Sequence, residues 1–199
     1  MGVEEAYAAV ADRYVELFGS VDHVHPDDVD LIDRHLTIRV GTVLDVGCGP
    51  GHLTAHLIAR DVTALGLDRT RAFVKHGRSS FGLDRLLVAT VQRLPIRAAS
   101  VDGILAWYSL IHLSPHEIDG ALAELRRIAT PGAPMVVGFF DGDEVGEFDH
   151  RVTAAYRWPV DELSWRLATA GWTETERRRR PADPSTGSRA HAALVVSAS

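Results

Sequence analysis

Three glycines at alternate positions, Gly47, Gly49 and Gly51, follow a short apolar run at 43–46 that contains Asp45. Glycine tolerates positive φ and carries no Cβ, so the stretch offers a tight turn whose main chain a ligand can touch. The residues after Gly51 have helical character, and the first N–H groups of a helix have no partner within it. Such a loop suits a polar ligand lying across the end of a strand. Its spacing, G-x-G-x-G, differs from the G-x-G-x-x-G fingerprint that seats a pyrophosphate on a helix N-terminus. Asp45, two residues ahead of the first glycine, opposes a pyrophosphate and favours a cationic group. A second acid, Asp68, closes the apolar run 62–67 roughly 20 residues beyond the glycines, where a carboxylate accepts hydrogen bonds from ribose hydroxyls. A ribose without pyrophosphate and with a positive end describes S-adenosylmethionine.

Side chains able to move a proton gather in a second stretch, AWYSLIHL at 106–113. It starts at the ligand-facing end of another apolar run and stops just before a helix-start signal. Tyr108 and His112 therefore fall in a loop beside the glycines. An unperturbed imidazole titrates near 6.5, which suits His112 to a general base; a purely structural role, bonding a backbone carbonyl, fits it too. His112 and His116 show a metal-like i, i+4 spacing, but the capping-box pair Ser114 and Glu117 begins a helix between them. No third ligand is evident, and no metal is expected. The segment 141–159 is longer than ordinary connections and reads as a lid or binding element. Tyr156 and Trp158 within it offer an aromatic wall for an organic substrate, or satellite packing. Cys48 is the lone cysteine, so no internal disulfide forms, and it reads as a small loop residue instead of a nucleophile.

The elements that must position these groups alternate in texture. TVLDV, VTALGL, RLLVA, VDGILAW and PMVVGFF are short apolar runs suited to strands covered on both faces. Between them lie amphipathic helices, the clearest running from Ser114 with Ile118, Ala121, Leu122 and Leu125 on its buried face. Tyr7, Val10, Tyr14, Leu17 and Phe18 recur at helical spacing in the first segment, with Val10 and Leu17 read as core contacts. Near the C-terminus a helix closed by Gly171 leads into two strands, at about 172–180 and 190–198, with no room for a helix between them. The expected fold is α/β: a doubly wound, mostly parallel seven-stranded sheet with a C-terminal antiparallel hairpin, in one domain spanning 1–199. The run of four arginines at 177–180 lies in a strand, where side chains alternate between faces, and reads as a solvated edge guard. A formal net charge of −6 repels phosphate backbones and anionic lipids, so neither nucleic acid nor membrane is an expected partner. The acidic N-terminus lacks the bases and apolar region of a signal peptide, and no apolar run approaches a membrane span; a cytoplasmic protein is expected.

These stretches together resemble the class I S-adenosylmethionine-dependent methyltransferases, whose fold is Rossmann-like. VLDVGCGPG looks like their glycine motif, ALGLD like their second-strand acid, and RLPIRAASVDGILA like the approach to their fourth strand. ALAELRRIATPGAPMVVGFF is similar to their helix-turn-fifth-strand signature, and AWYSLIH with AAYRWP looks like a subgroup of small bacterial enzymes. The resemblance implies that Gly47, Cys48, Gly49 and Gly51 line the methionine end of the cofactor. Asp45 would help hold its ammonium group, directly or through water, Asp68 would bind the ribose, and Arg69 would flank the adenine. The usual acid near the adenine is replaced by Thr90, Val91 and Gln92, whose hydroxyl, side-chain amide or main chain would substitute for it. The Trp107 main chain would sit beside the ligand's amino group. N-terminal helices in 1–36 would cap the site, with Tyr14 toward the cofactor. Tyr7, Tyr108, His112, Tyr156 and Trp158 would face the substrate. The expected activity is methyl transfer to O, N or C of a small organic molecule, leaving S-adenosyl-L-homocysteine, by a monomer or homodimer. Its rivals are use of the bound cofactor without methyl transfer, as in a cyclisation, and a noncatalytic S-adenosylmethionine-binding module.

Overall fold

The continuous apolar runs become strands because the sheet is covered on both faces. Successive residues in β1 (Thr42–Val46), β4 (Gly103–Trp107) and β5 (Pro134–Asp141) point into two different cores. Val43, Leu105 and Val136 pack with Leu31, Ile32 and Leu36 of α3 (Pro26–Leu36) and with Leu53 and Leu57 of α4 (His52–Ile58). Leu44, Ile104, Met135 and Val137 meet Leu122 and Leu125 of α6 (Ile118–Ile128) and Leu163 and Leu167 of α7 (Val160–Thr169) on the opposite side. The computed structural model describes residues 2–38, 40–150, 152–185 and 187–199. Arg151 in the long segment and Thr186 in the hairpin connector lie outside the described residues.

Parallel pairing runs in the order β3 (Leu86–Val88), β2 (Thr63–Asp68), β1, β4, β5. The chain first builds outward from β1 toward β3, then restarts at β4 on the other side of β1. This reversal opens a crevice at the carboxyl ends of β1 and β4. At the far edge of β5, β9 (His191–Ala198) pairs antiparallel over 134–140, and β8 (Trp172–Arg180) pairs antiparallel with β9. The expected seven strands are present, and the long segment supplies two more, β6 (Gly146–Phe148) and β7 (Ala155–Trp158). β7 pairs parallel with Phe140 and Asp141, beyond the point where β4 stops pairing, so a stretch read as a lid instead extends the sheet.

The first amphipathic segment is two helices, α1 (Val3–Ala9) and α2 (Ala11–Phe18), broken at Val10, where φ is −120°. Val10 and Leu17, expected in the core, are 36% and 47% exposed, because the aromatic residues of this segment make the inward contacts. At α6, Glu117 accepts from both the N–H and the hydroxyl of Ser114, so half of the expected capping box forms and regular helix begins at Ile118. The four arginines of β8 are each tied to a carboxylate: Arg177 to Glu174 and Asp161, Arg178 to Glu176, Arg179 to Asp141, and Arg180 to Asp28. Among the described residues no helix is long and apolar enough to cross a membrane, and no three His, Cys, Asp or Glu side chains group as a metal site.

Candidate functional site

The crevice at the strand ends holds a cavity of about 120 Å³. Four consecutive β-strand ends contribute to it: Val46 and Gly47 after β1, Leu67 and Asp68 of β2, Ala89 and Thr90 after β3, and Trp107 and Tyr108 after β4. α1, α2 and α5 (Arg71–Phe81) close the other side with Tyr7, Tyr14 and Phe73.

The glycine loop is held from behind. Cys48 N–H donates to Leu67 O at 2.9 Å, and Gly49 N–H donates to Asp68 Oδ2 at 2.9 Å. Gly47 and Gly49 have φ of +66° and +53°, in the left-handed region where a Cβ is strained. A Cβ on Gly47 would lie 2.4 Å from Ser109 Cβ, whereas one on Gly49 would meet nothing within 4 Å. Gly49 therefore faces open space at the cavity, and Gly47 permits the close approach of two loops.

Asp68 is 8% exposed and stands at the cavity wall. Its Oδ1 accepts from Thr70 N–H at 2.7 Å, so each oxygen has one backbone donor and spare lone pairs. Burial raises its pKa, opposed by those same N–H bonds. Asp45 is placed differently from Asp68. It is 2% exposed, lies behind the loop outside the cavity wall, and accepts from Thr54 Oγ1 at 2.6 Å. Burial pushes its pKa up to about 7, with the Asp68 charge adding to the rise and the Thr54 bond opposing it.

Tyr7, Tyr14, Gly47, Gly49, Asp68, Arg69, Thr90, Val91, Gln92, Trp107, Tyr108 and His112 all line the cavity. Cys48 is 4% exposed behind the loop, and Gly51 caps α4 with φ +91°, so neither reaches it. Tyr156 and Trp158 do not reach it either. Strand β7 turns Trp158 into the core at 1% exposure beneath the Arg166 guanidinium, and sends the Tyr156 hydroxyl to Glu147 at 3.0 Å. The acceptor wall predicted from those two aromatics is absent because their segment is a strand of the sheet.

His112 carries a defined tautomer. Its Nδ1 lies 2.8 Å from the Ala154 carbonyl, which only accepts, so Nδ1 holds the proton. Burial lowers its pKa, opposed by that carbonyl, so the neutral ring offers Nε2 as an acceptor; the Tyr7 hydroxyl donates to it at 2.8 Å. Tyr7 also stacks edge-on against Tyr14, Phe73 and His112, with centroids 5.4, 5.8 and 5.4 Å away. The N-terminal helices are thus latched over the cavity by one hydrogen bond and an aromatic cluster. The exposed Thr90 hydroxyl bonds the Gln92 side chain at the position where the resemblance places an acid.

The sequence reading missed Val3, Phe73, Ser109 and Leu113, which also line the cavity. Ser109 and Leu113 lie within AWYSLIHL, where the more reactive Tyr108 and His112 carry the chemical signal. Phe73 carried no local signal, since only the docking of α5 brings it opposite Tyr7 and Tyr14.

A family model described as a methyltransferase domain matches residues 43–132. The chain is 28% identical over 158 residues to the O-methyltransferase cnsE of Penicillium expansum, covering 68% of this chain and 56% of that protein. It is 32% identical over 116 residues to a malonyl-[acyl-carrier protein] O-methyltransferase of Methylovorus sp., covering 53% of this chain and 38% of that one. The chain therefore spans about half the length of the curated relatives it matches. In architecture it is similar to the [4+2]-cyclase SpnF, with a TM-score of 0.81 at 19% identity over 98% of this chain and 94% of that one. It is also similar to the 1,6-didemethyltoxoflavin-N1-methyltransferase of Burkholderia thailandensis, with a TM-score of 0.69 at 19% identity over 100% and 92%. At these identities the structural likeness speaks to fold.

Proposed function

We propose that this chain, which belongs to the class I S-adenosylmethionine-dependent methyltransferases, holds S-adenosylmethionine at the strand ends and passes its methyl group to a small organic acceptor. The observation that carries this reading is the pairing of a buried carboxylate, Asp68, with the bare main chain of Gly49 on one cavity wall. A Cβ at Gly49 would project into open space, so the glycine leaves room where a ligand must lie. The donor set fits the cofactor: carboxylate lone pairs for ribose hydroxyls, main chain for the amino-acid end, and hydroxyl and amide groups of Thr90 and Gln92 for the adenine.

When bound, S-adenosylmethionine supplies a methyl group already activated by a positive sulfur. What remains for the protein is alignment, which contributes roughly 7–11 kcal/mol when both reactants are held in line. Asp68 and the glycine loop fix one reactant, and the wall of Tyr7, Tyr108 and His112 fixes the other. The cavity of about 120 Å³ is smaller than the few hundred Å³ usual for such ligands because Tyr7 and Tyr14 occupy its open side. Opening of the Tyr7–His112 bond would widen the cavity and free His112 Nε2 to accept a hydrogen bond from the acceptor. The O-methyltransferase names of the curated relatives favour oxygen as the accepting atom.

Calorimetry with S-adenosylmethionine and with NAD tests the cofactor, and only the former is expected to bind. Asp68→Asn keeps the shape but not the charge and should weaken binding by about 1–3 kcal/mol. Unchanged affinity would remove the ribose from Asp68. Release of S-adenosylhomocysteine with an acceptor separates methyl transfer from cyclisation and from mere binding.

A further inference from the structure

A second polar system starts at the cavity wall and runs into the protein. Tyr108 has φ +52° although it is not glycine, a conformation that costs about 1–3 kcal/mol and persists only where the surroundings enforce it. Its N–H donates to Gly138 O at 3.0 Å, and its ring packs against Trp107, Phe140 and His191 with centroids 5.6, 4.9 and 5.4 Å away. Its hydroxyl meets Nδ1 of His191 on β9. His191 is 3% exposed, and its Nε2, buried without a well-formed hydrogen bond, lies 3.4 Å from Asp28 Oδ1 on α3. Arg180 of β8 forks the same carboxylate at 3.2 and 2.7 Å. Four elements distant in sequence thus bring a phenol, an imidazole, a carboxylate and a guanidinium into one line. Packing alone does not call for this, since burying such groups is costly unless they satisfy one another.

The polarity of the line follows from the carboxylate. Burial raises the pKa of Asp28, but the nearby His191 imidazole and the Arg180 fork prevail and hold it at about 2. An anion at Asp28 favours a proton on the nitrogen facing it, Nε2, which leaves Nδ1 to accept the Tyr108 O–H. Donation leaves both lone pairs of the phenol oxygen unused, and among the described residues no other hydrogen bond reaches that oxygen. Burial, with the Asp28 charge adding to it, pushes the Tyr108 pKa up, so the phenol keeps its proton at neutral pH.

Resting on the methyl-transfer reading of the cavity, we propose that Tyr108, His191 and Asp28 form a relay that removes the proton from the methyl acceptor. The acceptor's lone pair forms the bond to the methyl carbon while the methyl–sulfur bond breaks and its electron pair stays on sulfur. The acceptor's proton moves to Tyr108 Oη as the phenol proton moves to His191 Nδ1. The imidazolium formed is held by Asp28 and returns its proton to water once the product leaves. Tyr108 touches the acceptor; His191 and Asp28 act through it as positioning residues.

Two measurements on the whole chain decide this. Nitrogen-15 NMR of histidine-labelled protein with S-adenosylhomocysteine added should show His191 protonated on Nε2. A proton on Nδ1 overturns the relay, because Tyr108 would then have nowhere to pass its own. Turnover is then compared for Tyr108→Phe, which preserves the ring, with panels of phenols and of carboxylic acids at pH 7.5. Phenol methylation should slow about 10²-fold or more with cofactor affinity within twofold, whereas carboxylates, already ionised, should slow at least about 10-fold less than phenols. Equal slowing of both classes marks a structural role and overturns the relay, as does unchanged phenol turnover or a wild type that methylates only carboxylates. A wild type that methylates neither class removes phenols and carboxylates as acceptors, and with them the relay, whereas the methyl-transfer reading itself falls only if no S-adenosylmethionine is bound.

Discussion

Replacing Asp45 with Asn should change how the stability of the ligand-free protein depends on pH, by an amount the structure sets. The carboxyl is 2% exposed, with Thr54 as its hydrogen-bond donor and the Asp68 charge nearby. Burial raises its pKa from the ordinary 3.8 to about 7, so the folded chain holds this proton to higher pH than the unfolded chain does. Stability from the group is therefore full below pH 3.8 and is lost as pH rises through about 7. Between pH 5 and pH 8 the loss is about 2–3 kcal/mol, at roughly 1.4 kcal/mol per pH unit up to the folded pKa. Asn keeps an acceptor for Thr54 but cannot ionise. Its added amide N–H groups cost the same at both pH values and cancel in the comparison, as do the histidines common to both proteins. Urea unfolding at pH 5 and pH 8 is the assay. Wild type should lose about 2–3 kcal/mol more than Asp45→Asn across that interval, and parallel losses would show that Asp45 is ionised in the fold at pH 5.

Gly47→Ala and Gly49→Ala should part company although both sit at positive φ. The first drives a Cβ to 2.4 Å from Ser109 and should cost roughly 1–3 kcal/mol more in denaturant unfolding than the second; Gly49→Ala should instead weaken S-adenosylmethionine binding in calorimetry, and equal stabilities would contradict the packing argument. Tyr7→Phe removes the hydrogen bond to His112 and should raise proteolysis within residues 3–18 about fivefold, for a loss near 1 kcal/mol. An unaltered cleavage rate means the aromatic cluster alone holds the helices down. His112→Ala should slow turnover while leaving cofactor affinity within about twofold, and normal turnover would take His112 out of the acceptor site.

Local signals were enough wherever a residue's neighbours in sequence decided its conformation. The apolar runs, Gly171 and the position of Asp68 at a strand end could be read directly, because strand burial, helix termination and an acid closing a strand are encoded within a few residues. The same is true of the glycine loop, whose positive φ values are confined to residues able to adopt them.

Tertiary structure alone decided which side chains meet. Nothing near Trp158 says that its segment will join β5 as a strand and bury the ring, and nothing near Val10 says that the first helix will break there. The Tyr7–His112 bond spans 105 positions, and Arg180 reaches Asp28 across 152. Periodicity reports which face of an element is apolar, but not what that face will find opposite. Contacts between elements depend on the order of strands in the sheet and on the packing of helices across it, and these are settled only when the whole chain closes around its two cores.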